Sequence, residues 1–108
     1  MAAIELTVKQ RILIDLLLNQ QRGSVSEIEV FYDVRNKLAL PNRDEFLRSL
    51  PTGEVIIDEV AAATKGVEKF DLEKEERRRL LELLTTTKSF SPNDLDWVLP
   101  LKKQLELT

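Results

Sequence analysis

Apolar residues Val8, Ile12, Leu13, Leu16 and Leu17 recur at three- and four-residue spacing, and Ile14 and Leu18 widen the stripe around most of the circumference. The pattern predicts a helix buried on more than one side. Thr7 and Gln10 occupy the two positions of a capping box, so the helix should begin after Thr7, and Gly23 is its natural stop. A second helix follows at once. Its start is open between two capping boxes, Ser24 with Glu27 and Ser26 with Glu29. Ile28, Phe31, Tyr32, Val34 and Leu38 carry it to about Ala39, and Pro41 disfavours helix at Leu40. The short connection Arg22-Gly23-Ser24 predicts an antiparallel or strongly angled helix pair.

Asn42 followed by Glu45 reads as a cap, and Phe46, Leu47 and Leu50 give an apolar face to a short third helix that ends by Pro51. The run Glu54 to Val60 is rich in β-branched residues and predicts a strand. Val67 to Leu72 predicts a second, with Phe70 and Leu72 on one face and Lys69 and Asp71 on the other; Gly66 supplies turn chemistry, so the two read as a hairpin. Ala61-Ala62-Ala63 has helix propensity and reads as a disordered or helical excursion at its tip. Residues 73–86 predict a helix with Leu80, Leu81 and Leu84 buried and the pairs Glu73/Arg77 and Glu75/Arg79 outside. A last helix opens on Ser91, Pro92 and Asp94, with Phe90 placed to staple onto Leu95. Leu95, Val98, Leu99 and Leu105 form its stripe, and Pro100 should kink it. The expected architecture is one α+β domain over residues 1–108, mostly helical. It has about five helices, one short, and a two-stranded hairpin, in the order α-α-α-β-β-α-α.

Composition narrows the chemistry. The 108 residues contain no histidine and no cysteine, which removes zinc fingers, cysteine and histidine catalysis, disulfides and thiol redox chemistry. No Ser-x-x-Lys is present to replace a histidine base, and the three glycines are too scattered for a phosphate loop. Asp94-x-Asp96 and Glu75-Glu76 are close carboxylate pairs; Asp94 has a capping role, and a structural reading fits both pairs better than hydrolytic or metal-assisted chemistry. The expectation is a non-enzymatic protein with no cofactor.

The formal net charge is −3, and all of it falls in residues 41–72. Three helices followed by a hairpin is also the order of a winged-helix DNA-binding regulator. Here the third helix and hairpin carry Asp44, Glu45, Glu54, Asp58, Glu59, Glu68 and Asp71, the wrong sign for a phosphate-facing surface, leaving only Arg43 and Arg48 to meet a groove. Arg77-Arg78-Arg79 shares its helix with Glu73, Glu75, Glu76 and Glu82 and reads as a salt-bridged face. Nucleic acid is therefore not the expected partner. A protein is. Trp97 and Leu101 lie four apart, offset from the last helix's stripe, and with Tyr32 offer the residue types found at interface centres. The acidic Glu54, Asp58 and Glu59 form a second candidate surface, suited to a basic partner. A homodimer is one form such contacts can take. No apolar run approaches a membrane span and the first residues lack a basic-then-apolar leader, so a cytoplasmic protein is expected.

Ile4 to Leu18, then Gly23 and the segment Arg35-Asn-Lys-Leu38, resemble small proteins of tailed bacteriophages. So do Phe70-Asp-Leu72, the acidic start Glu73 to Glu76, Leu80 to Leu84 and Lys88 to Leu95. The resemblance brings no assigned activity. It implies an accessory protein acting on a host or phage protein in the bacterial cytoplasm, or a minor virion or assembly component. Residues 51–66 and Pro100 depart from the pattern, and differences in function within such a family would lie in that middle segment.

Overall fold

Ile4 and Leu6 alternate with Glu5 and Thr7 at the start of the chain, and this four-residue period-two pattern is a strand, β1 (Ile4–Thr7), with Ile4 and Leu6 fully buried. It was too short to stand out against the helix that follows. The computed structural model describes residues 3–107. From Thr7 the chain turns directly into α1 (Val8–Asn19), where Thr7 and Gln10 form the expected reciprocal capping box. α1 ends at Asn19, short of Gly23, because the Gln20 and Gln21 amides already close its last turn on Leu17 and Leu18. Gly23 has no positive φ and is not the left-handed stop. Ser24, paired with Glu27, wins the choice of cap and starts α2 (Val25–Leu38).

The middle of the chain departs from expectation, and the reason is local. Pro51-Thr52-Gly53 forms a three-residue hairpin loop: Gly53 takes φ 88°, its amide donates to Leu50 O (2.8 Å), and the Leu50 amide donates to Glu54 O (2.7 Å). This turn folds the flanks into an antiparallel pair, β2 (Leu47–Ser49) with β3 (Val55–Ile57). Of the expected third helix only one 3-10 turn remains (Arg43–Phe46), and Asn42 makes no side-chain cap. That turn is too short to serve as the recognition helix of a winged-helix domain. Asp58 then accepts from the Ala61 amide (3.1 Å), so the alanines form a true helix, α3 (Glu59–Lys65). Gly66, at φ 75° and ψ −163°, occupies a region open essentially to glycine and turns the chain into β4 (Val67–Phe70).

β4 does not pair with β3. Its antiparallel partner is β1, in the register Ile4 with Phe70 and Thr7 with Val67. The described fold is thus α+β with five α-helices and two separate strand pairs, the strands interleaved with the helices. On the other edge of β1, Gln104 acts as a substitute strand: its amide oxygen accepts from Glu5 N (2.7 Å) and its amide nitrogen donates to Glu5 O (2.9 Å).

α4 (Lys74–Thr86) and, after a 3-10 turn (Pro92–Asp94), α5 (Leu95–Glu106) complete the core. Leu80, Leu83 and Leu84 face inward from α4. The expected pairs Glu73/Arg77 and Glu75/Arg79 do not form. Arg78 bridges Glu75 and Glu82 instead, Arg77 donates to Leu72 O (2.7 Å), and the Arg79 guanidinium lies 5.1 Å from the Phe31 ring centre. Glu76 is buried, accepting from Glu73 N (2.7 Å) and from Lys37 Nζ (2.6 Å), which ties α2 to the start of α4. The Ser91–Asp94 box forms, and α5 runs on through Pro100 to Glu106.

Two clusters make the interior. The larger joins β1, α1, α2, α4 and α5; the smaller, Val8, Ile12, Phe46 and Ala62, anchors the β2–β3 hairpin and α3 to the opposite face of α1. Arg11 is buried beside the end of α2. Its Nε donates to Leu38 O (3.0 Å), its Nη2 to Ala39 O (2.7 Å), its guanidinium lies 4.7 Å from the Phe70 ring centre, and Glu68 sits 3.5 Å away. Burial holds the guanidinium below its ordinary pKa, opposed by Glu68, yet an arginine stays charged throughout the working range.

Candidate protein-contact surface

The helix faces decide which candidate residues are available to a partner. Trp97 and Leu101 are not: Trp97 is 8% exposed and Leu101 is 0% exposed, both inside the main core. Phe90 meets the Trp97 ring edge-to-face (5.8 Å, 88°). Leu95 and Leu99, expected in the buried stripe, are the residues left outside at 40% and 53%. The true stripe of α5 is Trp97, Val98, Leu101 and Leu105, rotated about a quarter turn from the expected one. Large residues were available on both arcs, and the docking of β1 and Gln10 against α5 selects between them; Gln10 Nε2 donates to Trp97 O (3.2 Å).

The acidic candidates are mostly committed within the fold. Asp58 caps α3, and Glu59 pairs with Lys9, whose hydrogen bond holds the Glu59 carboxyl below the ordinary range. Glu68 faces Arg11, and Arg43 reaches Asp15 (2.6 Å). The charge excess of residues 41–72 is thus partly met by α1. Of the three acidic candidates, only Glu54, exposed at the hairpin, makes no side-chain hydrogen bond or ion pair among the described residues.

Tyr32 is exposed and lines a concave apolar surface on α2. Gly23, Ser24, Val25, Ile28, Glu29 and Tyr32 line a shallow groove of about 380 Å³. A smaller hollow of about 150 Å³ continues from it across Ile28 and Tyr32 toward Leu18, Asn19 and Arg35. Val25 is 83% exposed, directly after the cap where the chain enters the helix. The Arg35 guanidinium lies 5.3 Å from the Tyr32 ring centre and donates to Asn19 Oδ1 (3.0 Å), which holds the ring in place. Tyr32 was expected as a contact residue, but in company with Trp97 and Leu101, which are buried, and not with its own helix neighbours Val25 and Ile28. The spacing Val25, Ile28, Tyr32 is the signal of a second apolar stripe beside the buried one.

Elsewhere on the described residues, local hydrogen bonds hold three carboxylates below their ordinary range. The Ser24 hydroxyl lowers the Glu27 pKa, the Ser91 backbone amide lowers that of Asp94, and Arg78 lowers that of Glu75. A carboxylate with a depressed folded pKa stabilises the fold above its unfolded pKa and loses that contribution as pH falls through the folded value. With no histidine, the thermal midpoint should be level from about pH 6 to about pH 8 and decline below about pH 4.5. A midpoint unchanged down to about pH 3 would contradict this assignment.

Among the described residues no group of three or more acidic, histidine or cysteine side chains is placed to hold a metal ion, and no helix is long and apolar enough to cross a membrane. No protein-family model, curated protein or solved structure matches this chain.

Proposed function

We propose that this chain is a non-enzymatic accessory protein of a tailed bacteriophage that works by protein–protein contact, through the exposed stripe of α2. The observation that carries the contact reading is the groove at Val25, Ile28 and Tyr32: an apolar hollow with an aromatic residue held in place, bordered by Glu29 and Arg35. A matching surface is apolar at its centre and opposite in charge at those two borders. The phage assignment rests on the resemblance of residues 4–38 and 70–95. Trp97 and Leu101 drop out as contact residues because they are inside the core.

A photo-crosslinking amino acid at position 25, carried by the chain in infected cells, should capture one discrete protein. The same probe at position 54 should not, and Tyr32→Ala should remove the position-25 product while leaving the circular dichroism spectrum unchanged. Capture at position 54 in place of position 25 would move the contact to the acidic hairpin and sink this reading.

A further inference from the structure

Viewed down α2 at about 100° per residue, Val25, Ile28, Glu29, Tyr32, Arg35 and Asn36 fall within one arc of about 120°. Phe31, Val34 and Leu38 fill the adjoining arc and are buried. The stripe is acidic toward its N-terminal half and basic toward its C-terminal half. Glu29 is exposed, and its side chain makes no ion pair or hydrogen bond among the described residues. Arg35 donates to Asn19 and lies over Tyr32, with further N–H groups left to donate.

Glu29 lies three residues before Tyr32 and Arg35 three residues after it, so the charges of the stripe are complementary to themselves when it is reversed about Tyr32. We propose that a second copy of this chain covers it, the two α2 helices running antiparallel with Tyr32 near the two-fold axis. This rests on the reading of α2 as the contact surface and names its occupant. The acidic half of each stripe then runs beside the basic half of the other, so each Glu29 is within reach of Arg35 of the second copy. The opposed helix dipoles add to the preference, whereas a parallel arrangement sets like charge against like. One helix stripe is a small interface. The dimer is therefore weak and reversible.

Sedimentation velocity on the full chain from about 1 μM to about 1 mM tests this. The wild-type chain should pass from monomer to dimer across that range, more weakly as salt rises. Tyr32→Ala should weaken association about tenfold or more. Glu29→Arg and Arg35→Glu should each abolish it alone, and an equimolar mixture of those two variants should restore it, because only the mixed dimer opposes unlike charges at both ends. Circular dichroism checks that each variant is folded; should Arg35→Glu unfold, the salt dependence and Tyr32→Ala carry the test. A chain that is monomeric at about 1 mM overturns the proposal. A dimer indifferent to Tyr32→Ala and to the charge exchange overturns it as well. If the chain is monomeric yet the position-25 crosslink to another protein persists, self-association is wrong and the contact reading stands.

Discussion

Leu101→Ala should lower the unfolding free energy by about 3 kcal/mol, within the range of about 2–5 kcal/mol for leucine truncations in cores. Leu101 has no exposed surface, and its cluster includes residues of β1, α1, α4 and α5, so a void there has no flexible wall to close it. Domains of this size are stable by only about 5–15 kcal/mol, so the variant should be partly unfolded at moderate urea. Leu99→Ala, two residues away and 53% exposed, should change stability by less than about 0.5 kcal/mol. Urea titrations of the two variants measure the facing of α5 directly: equal effects, or a larger effect from Leu99→Ala, would reverse it. The contrast also protects binding experiments. A Leu101→Ala or Trp97→Ala chain that loses a partner has lost part of its core, not a contact surface.

Arg11→Met should cost about 2–3 kcal/mol although methionine keeps most of the buried aliphatic stem. The loss arises at the end of α2, where the Leu38 and Ala39 carbonyls lose their side-chain donor and Glu68 loses the charge facing it. Arg11→Lys should recover little, since an ammonium cannot serve two carbonyls and lie flat over Phe70 together. Arg43→Met is the control. Arg43 pairs with Asp15 while 38% of its side chain is exposed, and such a pair contributes under about 1 kcal/mol. Thermal and urea unfolding of the three variants should rank them in that order, and an Arg11→Met chain as stable as Arg43→Met would refute the role given to the buried guanidinium.

The parts of the fold that were legible are those written locally. Thr7 with Gln10, Ser24 with Glu27 and Ser91 with Asp94 mark starts that the structure keeps, since a capping box is satisfied by residues three apart whatever the rest of the chain does. Pairing was not legible. Val67–Phe70 reads as a strand from its own alternation, but its partner Ile4–Thr7 lies some sixty residues back, and nothing in either segment names the other. The Pro51-Thr52-Gly53 loop was a local signal that went unused; read as a hairpin loop, it would have converted the end of the expected third helix into β2. On α5 the difficulty was degeneracy, because Leu95 and Leu99 make as good a stripe as Trp97 and Leu101 until β1 docks. The contact surface was half legible: Tyr32 was identified, while Ile28 was read as part of the core stripe and Val25 had no role assigned.

The clasp of Glu5 by Gln104 carries a consequence for the order of events on the ribosome. The two residues are 99 positions apart, and they complete the same strand that β4 completes from its other side. While the chain is being made, α1 and α2 can pair early, but β1 waits first for residues 67–70 and then for α5 before its last backbone groups are satisfied. Until then the nascent chain presents an unpaired strand edge next to an apolar stripe, the feature that recruits holdase chaperones or a neighbouring chain.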